Sequence, residues 1–390
     1  MIIIKILFWL SIFAIVHSYI VYPIILQLFS LLKKSKTQIL NNEKNKLPFI
    51  SILMSAFNEQ EVIKDKIDSI FKTSYPLDKI EVLVGSDAST DETDKILNHL
   101  SSEYKNLQFF SFQKRQGKPN IINQLSEKAR GEILILTDAN VFFEKTTIIN
   151  LVKPFTNKEI GLVDARMISK GLKKEGISKP EKFYISHEVN IKSKESILWG
   201  TMMGPFGGCF AVKSELFSKV PDKFLVDDFY INMKVLEKGK KAVNNIEAVV
   251  YEDVSNNLKE EFKRKVRIAT GNFQNLKEFK HLLSLKTKSI AFCFLSHKVL
   301  RWFGPFFLLA AFLFNLILIK NTFYLYLLYL QCVVIILPFI DFLLRKIEIH
   351  IIILRFITHF YSMNIALFIG FFKYLKGVKT NVWQPTKRNQ

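Results

Sequence analysis

Apolar residues crowd the two ends of this chain and break into short runs through its middle. From Ile6 to Leu32 the run is almost unbroken, with Pro23 near its centre, and Lys33, Lys34 and Lys36 follow. A bilayer core needs about 20 apolar residues as helix, so this run can span with a tilt or a kink. A cleaved leader needs a short apolar core and a small-residue cleavage site; this run has neither. The expectation is an uncleaved anchor over residues 1–36. The lysine cluster behind it predicts that the next stretch of chain lies in the cytoplasm.

A polar linker from Thr37 to Lys46 and then Pro48 open a stretch of different texture. Phe49 to Ser55, Ile80 to Gly85, Leu107 to Phe112 and Ile133 to Thr137 read as buried strands. Helical patterns separate them, over Glu59 to Lys72, Asp91 to Leu100 and Lys118 to Ala129. Alternation of this kind implies crossover connections and a mainly parallel sheet. In such a sheet ligands bind beyond the carboxyl ends of the strands, so polar residues there are the candidates for chemistry.

After about Lys286 the long apolar runs return. One follows Arg301 and Trp302 as far as Ile319, a second covers Phe323 to Phe342, and a third covers Ile349 to Phe372. Arg345, Lys346 and Glu348 separate the last two, and Ser289 to Trp302 reads as an amphipathic interfacial helix. Three complete crossings would place the basic tail (Lys373, Lys376, Lys379, Lys387, Arg388) outside, against the positive-inside tendency. The third run carries Arg355 and His359, so an interfacial or re-entrant course stays open beside a crossing. The division expected is an anchor at 1–36, a soluble domain at 48–285, and at 286–390 an interfacial helix with two or three spans and a basic tail.

Composition narrows the partners. The formal charge of +20 on 390 residues admits nucleic acid, an anionic membrane surface or phosphorylated substrates. With apolar spans present and no nucleic-acid-binding motif, a lipid bilayer and a nucleotide-bearing substrate are expected, and nucleic acid is not. Cys209, Cys293 and Cys332 have no metal-ligand spacing and form no disulfide framework.

Four polar clusters fall at the strand ends. Ser55 to Glu59 includes Asn58 and Glu59, which suit a turn cradling a nucleobase or an ordinary capped turn. Gly85 to Asp91 offers Asp87 to a base or ribose, and Asp91 as a helix cap. Gly117 allows close backbone approach, and Lys118 beside it offers charge to a diphosphate. Leu136-Thr137-Asp138-Ala139-Asn140 sets a carboxylate at the open end of an apolar strand, placed for a hard cation or sugar hydroxyls, or simply forming a turn. Further on, Asp227 and Asp228 precede a pattern that reads as a helix ending at Lys238 and Gly239. Arg264 and Arg267 share one helical face, suited to a pyrophosphate or to solvent and lipid headgroups.

These clusters, in this order, resemble the family-2 inverting glycosyltransferases and their GT-A fold, an α/β Rossmann-like mixed sheet, here flanked by transmembrane helices. The branch most similar in appearance is the membrane-anchored, cellulose-synthase-like and hyaluronan-synthase-like group. Gly204 to Phe217 resembles its acceptor-side strand and helix, with Gly207 and Gly208. Val226 to Phe229 resembles its acidic pair, and Arg264 to Ile268 with Gly271 its QxxRW-type motif. The resemblance covers roughly residues 48 to 280. It implies that Asn58, Glu59 and Asp87 hold the nucleoside of a nucleotide-sugar donor, a UDP-sugar above others. Lys118, Arg264 and Arg267 would hold the diphosphate or base. Asp138 would hold donor and metal, Mg²⁺ or Mn²⁺. Asp227 and the two glycines would lie on the side of a glycan or lipid-linked acceptor, with Asp228 as catalytic base.

Two positions depart from the pattern. Asn140 stands where the second acid of a DxD pair is usual, a weaker ligand for a hard ion. Arg264 and Ile268 replace the Gln and Trp of QxxRW. Loss of that Trp favours single transfers over a processive synthase with its own channel, the alternative within the class. A non-catalytic membrane scaffold is the alternative outside it, and the retention of Asp87, Asp138 and Asp228 argues against that. The place expected is the cell membrane, multi-pass, with the catalytic domain cytoplasmic.

Overall fold

Strands that carry apolar side chains on both faces have to be covered on both faces, and the middle of this chain does so. In a computed structural model, which describes residues 1–33, 47–170, 178–253 and 258–382, the four apolar runs form β1 (Ile50–Ala56), β2 (Ile80–Asp87), β3 (Leu107–Phe112) and β4 (Ile133–Asp138). The first, second and fourth are buried almost end to end. The linker at 37–46, Lys34, Lys36, Lys387 and Arg388 lie outside the described residues.

Four later strands complete one sheet: β5 (Val141–Phe143), β6 (Ile160–Lys170), β7 (Cys209–Lys213) and β8 (Lys241–Asp253). The order is β3-β2-β1-β4-β7-β6-β8-β5. β1 pairs in parallel with β2 and β4, and β2 with β3. The other half is mixed: β7 runs antiparallel to β4 and β6, and β5 antiparallel to β8. The register Thr137↔Cys209 sets the residues just before β7 beside the end of β4.

The helices in chain order are α1 (Ile2–Leu32), α2 (Ile63–Phe71), α3 (Thr93–Glu103), α4 (Lys118–Lys128), α5 (Thr147–Val152), α6 (Ser178–Trp199), α7 (Asp227–Glu237), α8 (Leu258–Phe279), α9 (Ser289–Trp302), α10 (Gly304–Leu318), α11 (Thr322–Lys346) and α12 (Ile352–Leu375). α2 starts four residues later than its sequence pattern suggests. Asn58 adopts a positive φ of 54°, and the amides of Glu59 and Gln60 bond to Thr93 Oγ1 and Asp91. The neighbouring loop thus takes donors that would otherwise open the helix.

The chain divides into two compact units. One contains the sheet and residues 29–172, 188–256 and 378–390; its core joins Ile52, Met54, Val82, Val84 and Ile135 to Ile63, Ile67 and Ile70 of α2. Burying a side chain of this kind is worth about 1.5–3 kcal/mol. The other contains residues 1–28, 173–187 and 257–377. Three of its helices, α1, α11 and α12, are long and apolar enough to cross a membrane, and α9 with α10, bent by 63°, would make a fourth.

Candidate active site

The sheet unit gathers the polar strand ends on one side. Asp87, at the end of β2, is buried and takes three donors from one loop. Its Oδ1 accepts from Gln116 N at 2.6 Å, and its Oδ2 from Gly117 N at 2.9 Å and Arg115 Nε at 3.1 Å. The Arg115 guanidinium stacks 3.2 Å from the Phe57 ring centre, as expected of a planar cation over an aromatic face. Asn58 binds the β2 loop to the β1 loop: its Oδ1 accepts from Thr90 N at 2.8 Å. Glu59 is buried next to it. Asn58 thus fixes the two loops to each other, and Asp87 holds the Gly117 turn in place.

From that turn Lys118 projects to the acids. Its Nζ is 2.6 Å from Asp138 Oδ1 and 3.8 Å from Asp227 Oδ2. Burial alone would lower its pKa; Asp138 and Asp227, with Asp228 behind them, override that and hold Lys118 above its ordinary value. The ammonium thus bridges the end of β4 and the start of α7.

α7 opens with Asp227 as its first helical residue; Val226 occupies the cap position and makes no side-chain bond there. Asp227 is thus the first residue of the helix and not its cap. Asp228 Oδ1 accepts from Phe229 N at 2.8 Å. Burial, and then Asp227 beside it, push the Asp228 carboxyl up to about 7, with Lys118 opposing. Gly207 has φ 83°, and a Cβ there would come within 2.6 Å of Asp228 Oδ2, so glycine is needed for both backbone and space. The Gly208 carbonyl accepts from Asp138 N at 3.0 Å and from Thr137 Oγ1 at 3.1 Å. The antiparallel β4–β7 pairing thus brings Gly207, Gly208, Asp138 and Asp228 together.

Residues 51–220 match glycosyl transferase family 2, and residues 181–344 match glycosyl transferase family group 2. The two matches together run from residue 51 to 344, and over that stretch the chain is similar to glycosyl transferase family 2. A beta-monoglucosyldiacylglycerol synthase of Nostoc is 30% identical over 156 residues, 40% of this chain and 33% of that protein. The protein named "Probable glycosyltransferase YdaM" of Bacillus subtilis is 24% identical over 262 residues, 63% of this chain and 60% of its own. The matches thus span less than two thirds of these relatives' lengths. The mannosyltransferase PcManGT from Pyrobaculum calidifontis, solved with GDP-Man and Mn²⁺, superposes with a TM-score of 0.68 at 21% identity, covering 95% of this chain and 99% of that one. At that identity the likeness is one of fold, and the fold is GT-A.

Arg264 and Arg267 lie on α8, in the unit of apolar helices, where Arg264 pairs with Glu261 at 3.1 Å. Asn140 Nδ2 donates to Glu252 Oε1 at 3.3 Å, an acid the sequence did not single out. Two buried lysines were also missed. Lys66 of α2 donates to Thr137 Oγ1 at 2.9 Å and to the Val141 carbonyl, bracketing the Asp138–Asn140 turn. Lys192 of α6 pairs with Asp164 of β6 at 2.6 Å, both fully buried, and Asp164 also accepts from Phe206 N at 3.4 Å, next to Gly207. Burial raises the Asp164 pKa against the pull of Lys192. A lysine on a helix reads as solvated surface unless something marks its partner, and nothing in the local pattern did.

Proposed function

We propose that this protein is a membrane-bound inverting glycosyltransferase, carrying a sugar from a nucleoside diphosphate sugar to a glycan or lipid-linked acceptor. The observation that carries the reading is the Lys118–Asp138–Asp227–Asp228 assembly at the strand ends. Asn58, Glu59 and Asp87 with the Gly117 turn form the nucleoside wall, and Lys118 supplies positive charge to the diphosphate. Arg264 and Arg267 are proposed to add to it.

In the reaction the acceptor oxygen attacks the anomeric carbon as the bond to the diphosphate breaks. Asp228 takes the hydroxyl proton, and the nucleoside diphosphate departs with the electron pair. A base with a pKa near neutrality suits that transfer. Lys118 remains charged throughout and opposes the negative charge growing on the leaving group.

A divalent cation belongs to the proposal as a partner of the donor. Among the described residues no three His, Cys, Asp or Glu are grouped so as to hold a metal ion, so Asp138 would be the main protein ligand, Asn140 a weak one, and donor oxygens would complete the shell. Bound there, the ion would neutralise diphosphate charge.

The lipid-linked acceptor is favoured by the apolar helices and by the name of the Nostoc relative, a beta-monoglucosyldiacylglycerol synthase. Single transfer is favoured by Ile268. The proposed location is the cell membrane, multi-pass, with the sheet unit cytoplasmic. The test is nucleotide release by the purified protein in detergent across UDP-, GDP- and dTDP-sugars with Mg²⁺ or Mn²⁺, followed by sizing of the product. Release with one donor class and a product longer by one sugar supports the reading. No release with any donor, or undiminished release by Asp228→Asn, defeats it.

A further inference from the structure

The chain enters the sheet unit after α1 and rejoins it after α12. Lys33, just past α1, donates from Nζ to the carbonyls of Ile197 and Leu198 at 2.8 and 2.6 Å. At the other end Asn381 is buried with its side chain against Gly117 of the donor turn. All of these residues belong to the sheet unit. A charged, water-soluble unit sits on one side of a bilayer, so the chain must cross an even number of times between leaving that unit and rejoining it. Three crossings by α10, α11 and α12 break this condition.

The contacts within the helical unit show which helix does not cross. α10 runs antiparallel to α1. Arg301 donates to Ser18 O at 3.3 Å and Ser296 pairs with His17 at 2.9 Å, whereas Phe8 clusters with Ala311, Leu318 and Tyr324. α11 then starts at the end of α1 remote from Lys33: Trp9 Nε1 donates to the Tyr324 hydroxyl at 3.3 Å, and the Lys5 ammonium lies 6.0 Å from that ring. Its 25 residues at about 1.5 Å each cover a hydrocarbon core of about 30 Å. They end in Arg345 and Lys346.

α12 starts where α11 ends. Arg355 Nε is 3.3 Å from Asp341 Oδ1, and Thr358 donates to Asp341 at 3.0 Å. Its other end packs on α8: Gly370 abuts Ala269 and Thr270, and the Phe371 ring is 5.1 Å from that of Phe273. α8 carries Lys259, Glu260, Glu261, Lys263, Arg264, Lys265 and Arg267, a charge load that hydrocarbon excludes. α12 begins and ends on one side.

We infer that α12 is an interfacial helix on the side of the bilayer where the chain rejoins the sheet unit, that its partner is the anionic lipid surface, and that the chain crosses three times, through α1, the bent pair α9 and α10, and α11. The exposed residues of α12 suit that place. Ile352, Ile353, Ile365, Phe372 and Leu375 are exposed, and Lys373 and Lys376 adjoin them, the combination that binds a charged headgroup layer. The parity conflict raised by the basic tail then disappears.

The inference rests on the membrane reading above but not on the chemistry. One new cysteine at a time, Lys320→Cys, Lys346→Cys or Lys379→Cys at exposed positions, is placed in a Cys332→Ala parent whose remaining Cys209 and Cys293 are buried, and is labelled with a membrane-impermeant maleimide in intact and permeabilised cells. The expected result puts Lys346→Cys and Lys379→Cys on one side and Lys320→Cys on the other. Lys379→Cys labelled together with Lys320→Cys means that α12 crosses, and the inference falls; Lys346→Cys labelled with Lys320→Cys overturns the α11 crossing. Extraction of the chain by alkaline carbonate defeats the membrane reading and this inference with it. Which side is cytoplasmic, and whether each variant still releases nucleotide, are read separately and test the proposed function alone.

Discussion

Asp228 concentrates the proposed chemistry in one side chain, and its environment makes two predictions. Its carboxyl sits near 7 because burial and Asp227 both disfavour the charge, only partly offset by Lys118. A base has to be ionised to accept the acceptor proton, so kcat is expected to fall about tenfold per pH unit below about 7 and to level off above. A flat kcat between pH 5.5 and 8 would remove Asp228 from the role. Stability runs the opposite way. The folded pKa lies above the ordinary 3.8, so the folded state binds more protons than the unfolded one between those values, and stability is lost as pH rises through that window. Asp228→Asn removes the loss. It is expected to lower kcat by about 10²–10⁴-fold, keep donor affinity, and raise the melting temperature at pH 8, by at most about 4 kcal/mol in free energy. Donor titration and thermal melts of the same preparation separate these outcomes.

Among the elements, α2 has a role beyond filling the core. Lys66 crosses from it to the end of β4, with its amine 3.7 Å from the Phe143 ring centre and hydrogen bonded on both sides of the Asp138 turn. Burial lowers its pKa to about 7, with Cys209 and Asp138 pulling upward. Here the unfolded state binds more protons between about 7 and 10.5, so the native protein gains stability as pH rises across that range. Lys66→Met is expected to flatten this gain in melts between pH 7 and 10. It should also raise the donor KM several-fold with kcat nearly unchanged, because the turn bearing Asp138 loses its support. An unaltered pH slope would show that the amine is not buried in solution. The same elements explain what could be read in advance. The apolar runs betrayed β1, β2 and β4 because both faces are covered, and the polar residues at their ends then marked the site. Lys66 was hidden because Lys64 and Lys72 look the same beside it. The antiparallel β4–β7 pairing was hidden because no local pattern says which distant strand closes a sheet. Only the motif order tied Gly207 and Asp228 to Asp138.

At the scale of the molecule, residues remote in sequence meet at the Gly117 turn. Gly117 has φ 85°, and a Cβ there would run into the side chain of Asn381, which is itself buried and whose Nδ2 has no partner among the described residues. The Gly117 turn therefore packs against a residue that the chain supplies only after its passage through the helical unit. Gly117→Ala would cost about 1–3 kcal/mol from backbone strain alone, and the collision with Asn381 adds to it. The expected result is a donor KM raised at least tenfold. Asn381→Ala removes the collision but not the strain, so Gly117→Ala with Asn381→Ala should recover part of the lost affinity, whereas Asn381→Ala alone should have a small effect. That non-additivity, read from donor titrations of the four proteins, measures the coupling between the two positions. Strictly additive losses would mean that Asn381 does not rest on Gly117 in solution, and the tie between the chain's end and its donor turn would have to be given up.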